Sequence, residues 1–157
     1  MLESGKAAEA IAPLREAVRL TNSQPLIATL LGHALIATED EANFKEAEAV
    51  LRAAVAKDRD NPFAWYQLGV VYEHRGDSAR AALATAERYS LEGNKPLALR
   101  NAEAAMAGID KASPDYLRAQ DIALATRGEM ENARKRKKGS GKDDKDSQSA
   151  PEGMPIP

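Results

Sequence analysis

No cysteine occurs in the 157 residues, which excludes a disulfide framework, a thiolate nucleophile and a cysteine-ligated metal site. Histidine occurs twice, as His33 and His74. HExxH, GxSxG and the glycine-rich phosphate loop are all missing, so zinc-hydrolase, serine-hydrolase and P-loop chemistry lack their residues here. The chain therefore reads as a non-enzyme with no catalytic residue, no metal site and no cofactor. Aromatics are scarce at 4%, so any core is built mainly from Ala and Leu, and alanine favours closely packed helices. No run approaches the ~20 apolar residues of a membrane span. The opening MLESGKAAEA lacks the apolar stretch of a signal peptide; a targeting segment for export, if used, is not in this chain. Net charge is only −2, which by itself implies no polyanionic partner. It is unevenly spread: 15 basic and 20 acidic residues precede Arg134, and from Arg134 onward there are 7 basic and 4 acidic.

What is present is a repeat. Ala10, Leu14, Ala17, Pro25, Leu31 and Gly32 recur as Ala47, Leu51, Ala54, Pro62, Leu68 and Gly69, each displaced by 37 residues. The better-formed copy lies between Asp60 and Asp77. Asn61 is placed to cap a helix and Pro62 to open it, where its missing N–H costs nothing. Trp65, Leu68 and Tyr72 fall at i, i+3 and i+7 and share one face. Gly69 is expected to let a second helix approach closely, and Gly76 to end the helix in a left-handed turn. This Trp65-x2-Leu68-Gly69-x2-Tyr72 pattern resembles the first helix of a tetratricopeptide (TPR) repeat, a two-helix unit of about 34 residues. The turn over Glu39 to Asn43 accounts for the three extra residues.

Taken in order, Gly5-Lys6 looks like an inter-helix turn, leaving the helix from Ala7 to Leu20 without its own first-helix partner. A capping helix should carry a polar outer face; this one does not, so the chain is expected to be a module detached from something upstream. A second helix runs from Pro25 to about Thr38, with Leu30, Leu31, Ala34 and Leu35 inward, and a third from Phe44 to about Lys57. After Gly76 the period changes. Tyr72, Gly76 and Ala81 recur as Tyr89, Gly93 and Ala98, displaced by 17. The helix from Ser78 to about Leu91 therefore serves two hairpins. Ala102 and Ala105 predict unusually close packing of the next helix. A last helix runs from Pro114 to about Thr126, presenting Leu117, Ile122 and Leu124, and frays near Gly128. The expectation is an all-α, TPR-like right-handed solenoid of about seven antiparallel helices over residues 1–132. A basic, then low-complexity tail follows over residues 133–157, disordered from Gly139 because it has too little apolar surface to offset its ordering entropy.

A narrower resemblance lies in LLGHALIATED, in DNPFAWYQLGVVYEHRGDSARAALATAERYSLEGN and in SPDYLRAQDI. These are similar to the C-terminal TPR region of bacterial periplasmic HExxH zinc metalloproteases, the Ste-type peptidases. In that family the zinc and the general base lie in an N-terminal domain that has no counterpart here, so no catalytic residue carries over. The resemblance implies a substrate- or partner-docking module, periplasmic in its parent; cytoplasm is the alternative compartment.

In TPR arrays the first helices line a concave groove that takes peptide. On this chain the resemblance points to His33, Ile36, Phe63, Tyr66, Val70, Glu73, His74, Arg80 and Glu87 as groove residues. The Lys/Asn/Arg clamp of chaperone-binding TPRs is absent, since the matching sites hold Thr29, His33, Tyr66 and Val70. The expected function is a non-catalytic module for a protein or peptide partner. One alternative is a scaffold that self-associates through the Ala7-to-Leu20 helix. The other is a nucleic-acid or membrane-surface binder using the RKRKK run from Arg134 to Lys138. No aromatic interleaves that run and acids follow it, so nucleic acid is the less favoured partner.

Overall fold

Helix starts are written into the sequence as polar residues with the next backbone N–H groups in reach. Asn61 Oδ1 accepts from Phe63 N at 3.1 Å and Ala64 N at 3.4 Å. Asp40, Asp77 and Asn94 cap in the same way at 3.0, 3.0 and 3.3 Å, each satisfying a donor that the first turn leaves free. Pro25 and Pro62 occupy the opening positions of their helices. In the computed structural model, which describes residues 2–147, the helices are α1 (Leu2–Leu20), α2 (Pro25–Ala37), α3 (Glu41–Lys57), α4 (Pro62–His74), α5 (Ser78–Leu91), α6 (Lys95–Gly108) and α7 (Pro114–Ser147). No strand occurs among the described residues. The all-α solenoid expected from the sequence is the observed fold.

Both repeat periods are visible in the helix boundaries. Moving α2 by 37 residues reproduces α4 end for end, and moving α5 by 17 reproduces α6. The turns that flank α5 are copies of each other. Gly76 has φ +75° and Gly93 φ +77°. Asp77 N donates to Tyr72 O and Asn94 N to Tyr89 O, both at 2.9 Å, the hydrogen bond that closes a left-handed helix end.

Each helix packs on the next along the chain, and two further contacts decide the architecture. In the first half α2 touches α4; in the second half α5 touches α7, while α4 does not touch α6 and α3 does not touch α5. The closely spaced row therefore passes from α2–α4 to α5–α7. This is the dual role that the 17-residue shift assigns to α5.

The core changes composition at the same place. Around α2 to α4 it holds Leu31, Leu35, Leu51, Trp65, Leu68, Val71 and Tyr72, all 6% exposed or less. Burying such side chains contributes about 1.5–3 kcal/mol each. Around α5 to α7 it is lined with Ala86, Ala102, Ala105, Ala119 and Ala123 at 0–1% exposure. Small side chains let the helix backbones come together, as Ala102 and Ala105 predict.

Several local expectations need correction. Gly5 sits inside α1 rather than at a turn. Unlike Gly76 and Gly93, it is followed by Lys6, which cannot cap a new helix. Helix α3 starts at Glu41, within the expected turn, because Asp40 caps it. Leu30 is 46% exposed, and Leu117 and Leu124 are 56% and 59% exposed. The buried stripe of α7 instead runs through Ala119, Ala123 and Thr126, with Ile122 packed beside it; residue size had pointed to the wrong face. Gly69 is not the tight contact, since an added Cβ would meet Ala84 Cβ at an ordinary 3.7 Å. Close approach occurs at Gly32, where a Cβ would stand 2.6 Å from Leu51, and at Gly108, 2.7 Å from Ala79 Cβ. Finally, α7 does not fray at Gly128, and helix continues past Gly139 to Ser147. The docked part of α7 supplies the nucleus, and residues 129–138 are mostly good helix formers, so extension is cheap. The remainder of the expected 133–157 tail, residues 148–157, lies outside the described residues.

Candidate functional site

Two concave regions flank the α4–α5 hairpin, one on each side. The first is a cleft of about 230 Å³ between α3 and α7. It opens where α3 and α5 fail to touch. Its apolar floor is Trp65, Leu68, Tyr72 and Leu83, and its walls carry Arg52, Arg80, Arg118 and Asp115. The charges there are committed to the fold. Arg80 pairs with Asp77 and with Asp115 at 2.9 Å each, tying the start of α5 to the start of α7. Both carboxylates hold the Arg80 guanidinium above its ordinary pKa. Arg118 Nε lies 2.8 Å from Glu87 and its guanidinium 5.1 Å from the Trp65 ring. Arg59 approaches the same carboxylate at 3.7 Å, and Arg52 approaches Glu48 at 3.6 Å. Glu87 is 8% exposed, and burial holds its carboxyl above the usual range although both arginines pull it down. The Trp65 indole donates to the Arg59 carbonyl at 2.9 Å, which satisfies its one buried donor.

The second region is a hollow of about 250 Å³ on the other side of the hairpin. It is lined by Tyr66, Gly69, Val70, Glu73 and His74 of α4 and by Thr85 and Arg88 of α5. Tyr66, at its edge, is 49% exposed, and Phe63, one turn earlier on α4, is 44% exposed. The Arg88 guanidinium lies 5.3 Å from the Tyr66 ring centroid and 4.7 Å from that of Tyr89, within cation–π range of both. Among the described residues Arg88 forms no ion pair with an acid, in contrast to the arginines of the cleft. On the α2 side, Gln67 Nε2 donates to His33 Nδ1 at 3.0 Å, and the His33 ring tilts against Phe63 with centroids 5.7 Å apart.

The nine groove residues read from the sequence thus divide by location. Tyr66, Val70, Glu73 and His74 come together in the hollow, with Phe63 and His33 beside it. His74 also stacks on Phe44 at 4.5 Å. Ile36 is half-buried against the core. Arg80 and Glu87 do not join this surface: they sit on the opposite side of the hairpin, locked in ion pairs. A first-helix criterion could not place them, because both lie on α5, which is second helix to α4 and first helix to α6. Thr85 and Arg88 complete the hollow and are not among the nine. Their spacing with Tyr89, at i, i+3 and i+4, is a signal that could have found them. Among the described residues no three His, Asp or Glu gather as a metal site, and no helix is long and apolar enough to cross a membrane.

A stack of antiparallel helix pairs with a hollow edged by an exposed tyrosine fits a helical-repeat interaction protein. Residues 50–82, covering the second half of α3, all of α4 and the start of α5, match the tetratricopeptide repeat family model. The chain therefore carries a tetratricopeptide repeat, and such repeats generally mediate binding to protein partners. No curated protein matches the chain.

Proposed function

We propose that the chain is a non-catalytic docking module that binds a peptide segment of a protein partner in the hollow between α4 and α5. One observation carries this reading. Within the matched repeat, Trp65 and Tyr72 are buried as stacking residues, whereas the neighbouring Phe63 and Tyr66 are exposed, and Tyr66 lines the hollow with Arg88 and Glu73. Rigid aromatics beside a few polar groups are what peptide recognition uses. Aliphatic or aromatic side chains suit the rim, and an acidic group suits Arg88.

Random peptides selected on the immobilised full chain provide the test. Those enriched should bind about tenfold more weakly to Tyr66→Ala, or to Val70→Asp at the wall of the hollow. Enriched peptides that bind both variants as well as the parent would sink the proposal. Binding lost on deleting residues 134–157 would move the site to the basic part of α7, the second reading, which a membrane surface or nucleic acid would fit.

The finer assignment is a docking part of a zinc-metalloprotease-type system, bacterial and periplasmic. Its support is the resemblance of LLGHALIATED, of the long segment beginning at Asp60 and of SPDYLRAQDI to the C-terminal region of those enzymes. Zinc-dependent proteolysis by the purified chain would count against the non-catalytic role. Recovery from the cytoplasmic fraction of cells would count against the periplasmic one.

A further inference from the structure

The ion pairs that tie the walls of the α3–α7 cleft together do not use up its arginines. Glu48 is shared by Arg75 at 2.9 Å and Arg52 at 3.6 Å. Glu87 is shared by Arg118 and Arg59, and Arg80 spans Asp77 and Asp115. Five arginines thus face four carboxylates, a surplus of one positive charge. Arg52 is the least engaged of those that line the cleft. Beyond its long contact with Glu48, its guanidinium makes no hydrogen bond among the described residues. The hydroxyl of Tyr72, a buried side chain of the floor, also has no hydrogen-bond partner among the described residues. Burial raises the pKa of this phenol, and of the surrounding charges Arg52 acts on it most.

We propose that this cleft binds a small organic acid. Its apolar body, a ring or a branched chain, rests on Trp65, Leu68 and Leu83, and its one carboxylate is held by Arg52 and the Tyr72 hydroxyl. A guanidinium and a hydroxyl supply donors only to an acceptor, and the planar fork of arginine matches the two oxygens of a carboxylate.

Size and charge narrow the class. An apolar cavity of about 150 Å³ holds benzene, so the cleft's volume of about 230 Å³ leaves room for a ring and a short acid chain. Residues of α3, α4, α5 and α7 all line it, and a space of this size takes one group rather than a length of peptide. A single carboxylate balances a surplus of one positive charge, whereas a phosphate would bring close to two negative charges. The site is distinct from the α4–α5 hollow and exists because the row of helices changes at α5. Helix α7, packed on α5 where α3 is not, brings Asp115 and Arg118 to face Arg52 across Trp65 and Tyr72.

Trp65 is the chain's single tryptophan, so its fluorescence reports on the floor of the cleft. The test titrates the full chain at neutral pH with hydrocinnamate and, separately, with its uncharged amide. The acid should change the emission saturably and bind about tenfold more tightly than the amide. Arg52→Gln, at an exposed side chain with one long ion pair, should abolish that preference, and Arg52→Lys, which keeps the charge, should retain part of it. Ala56→Phe, at an exposed position on the edge of the cleft, should weaken the acid about tenfold by occupying its space. Tyr66→Ala should leave the acid's affinity unchanged, which separates this site from the hollow. The proposal is overturned by no saturable response to the acid up to about 10 mM, by equal binding of acid and amide, or by a preference that survives Arg52→Gln. Loss of acid binding in Tyr66→Ala would also overturn it, because the acid would then occupy the hollow.

Discussion

The two halves of this solenoid reach close packing by different means. In α1 to α4 the helices interlock through large side chains, and one glycine, Gly32, makes room for Leu51. In α5 to α7 the contact is alanine against alanine, with Gly108 against Ala79. The first half repeats every 37 residues and stacks by pairs. The second steps by 17 and stacks by single helices, so that α5 belongs to both. The period of the sequence thus decides which helices touch: α2 with α4 in one half, α5 with α7 in the other.

That contrast can be broken at its strongest point first. Leu51→Ala removes a fully buried side chain and should cost about 2–5 kcal/mol in urea unfolding. The matching assault on the second half is enlargement: Ala102→Leu, at 0% exposure, should cost about 1–3 kcal/mol. If truncating Leu51 is harmless, the large-residue core is not what holds the first half. The glycines sharpen the point. Gly32→Ala should destabilise by about 1–3 kcal/mol through its clash with Leu51. Gly69→Ala, with ordinary space around its new methyl, should stabilise by about 0.5–1 kcal/mol through helix entropy. Equal effects from the two would mean that the motif glycines are interchangeable.

Arg80→Ala cuts the link from Asp77 to Asp115. For partly exposed pairs this should cost about 1 kcal/mol, with faster amide exchange in the first turn of α7. The smallest effect concerns Glu87. Burial raises its folded pKa, so the folded chain keeps this proton to higher pH than the unfolded chain. Stability then falls as pH climbs from the ordinary carboxylate value through the raised one. Glu87→Gln lacks this loss, and its Tm relative to the parent should rise over that interval. A difference that stays flat from about pH 4 to about pH 8 would contradict the assignment.

How much of this was legible beforehand depended on the kind of signal. Caps, turns and periods depend on neighbours in sequence, and Asn61, Gly76, Gly93 and both repeat shifts read correctly. Which face of a helix is buried depends on what arrives from elsewhere. Leu30 reads as inward by its size, and Leu117 and Leu124 as the apolar face of the last helix, yet the positions that meet a neighbour are occupied by other, mostly smaller residues. Arg80 and Glu87 were assigned to a groove by helix type, and the change of row at α5 turned them to the other side. Of the candidate site, the α4 contribution was readable from its flanking aromatics. The α5 contribution, Thr85 and Arg88, shows in the sequence only as a shared helix face with Tyr89; that this face meets the α4 residues depends on how the two helices pack.

The paired turns around α5 have a consequence for how such a chain can grow. Arg75-Gly76-Asp77 and Glu92-Gly93-Asn94 present the same exit and the same entry, and the helices that follow are equal in length at 14 residues. A block of 17 residues, one helix with its joint, is therefore a self-contained cassette. Duplicating or excising it within the gene would leave every remaining joint intact. In this half the smallest exchangeable part is a single helix, whereas in the first half it is a pair.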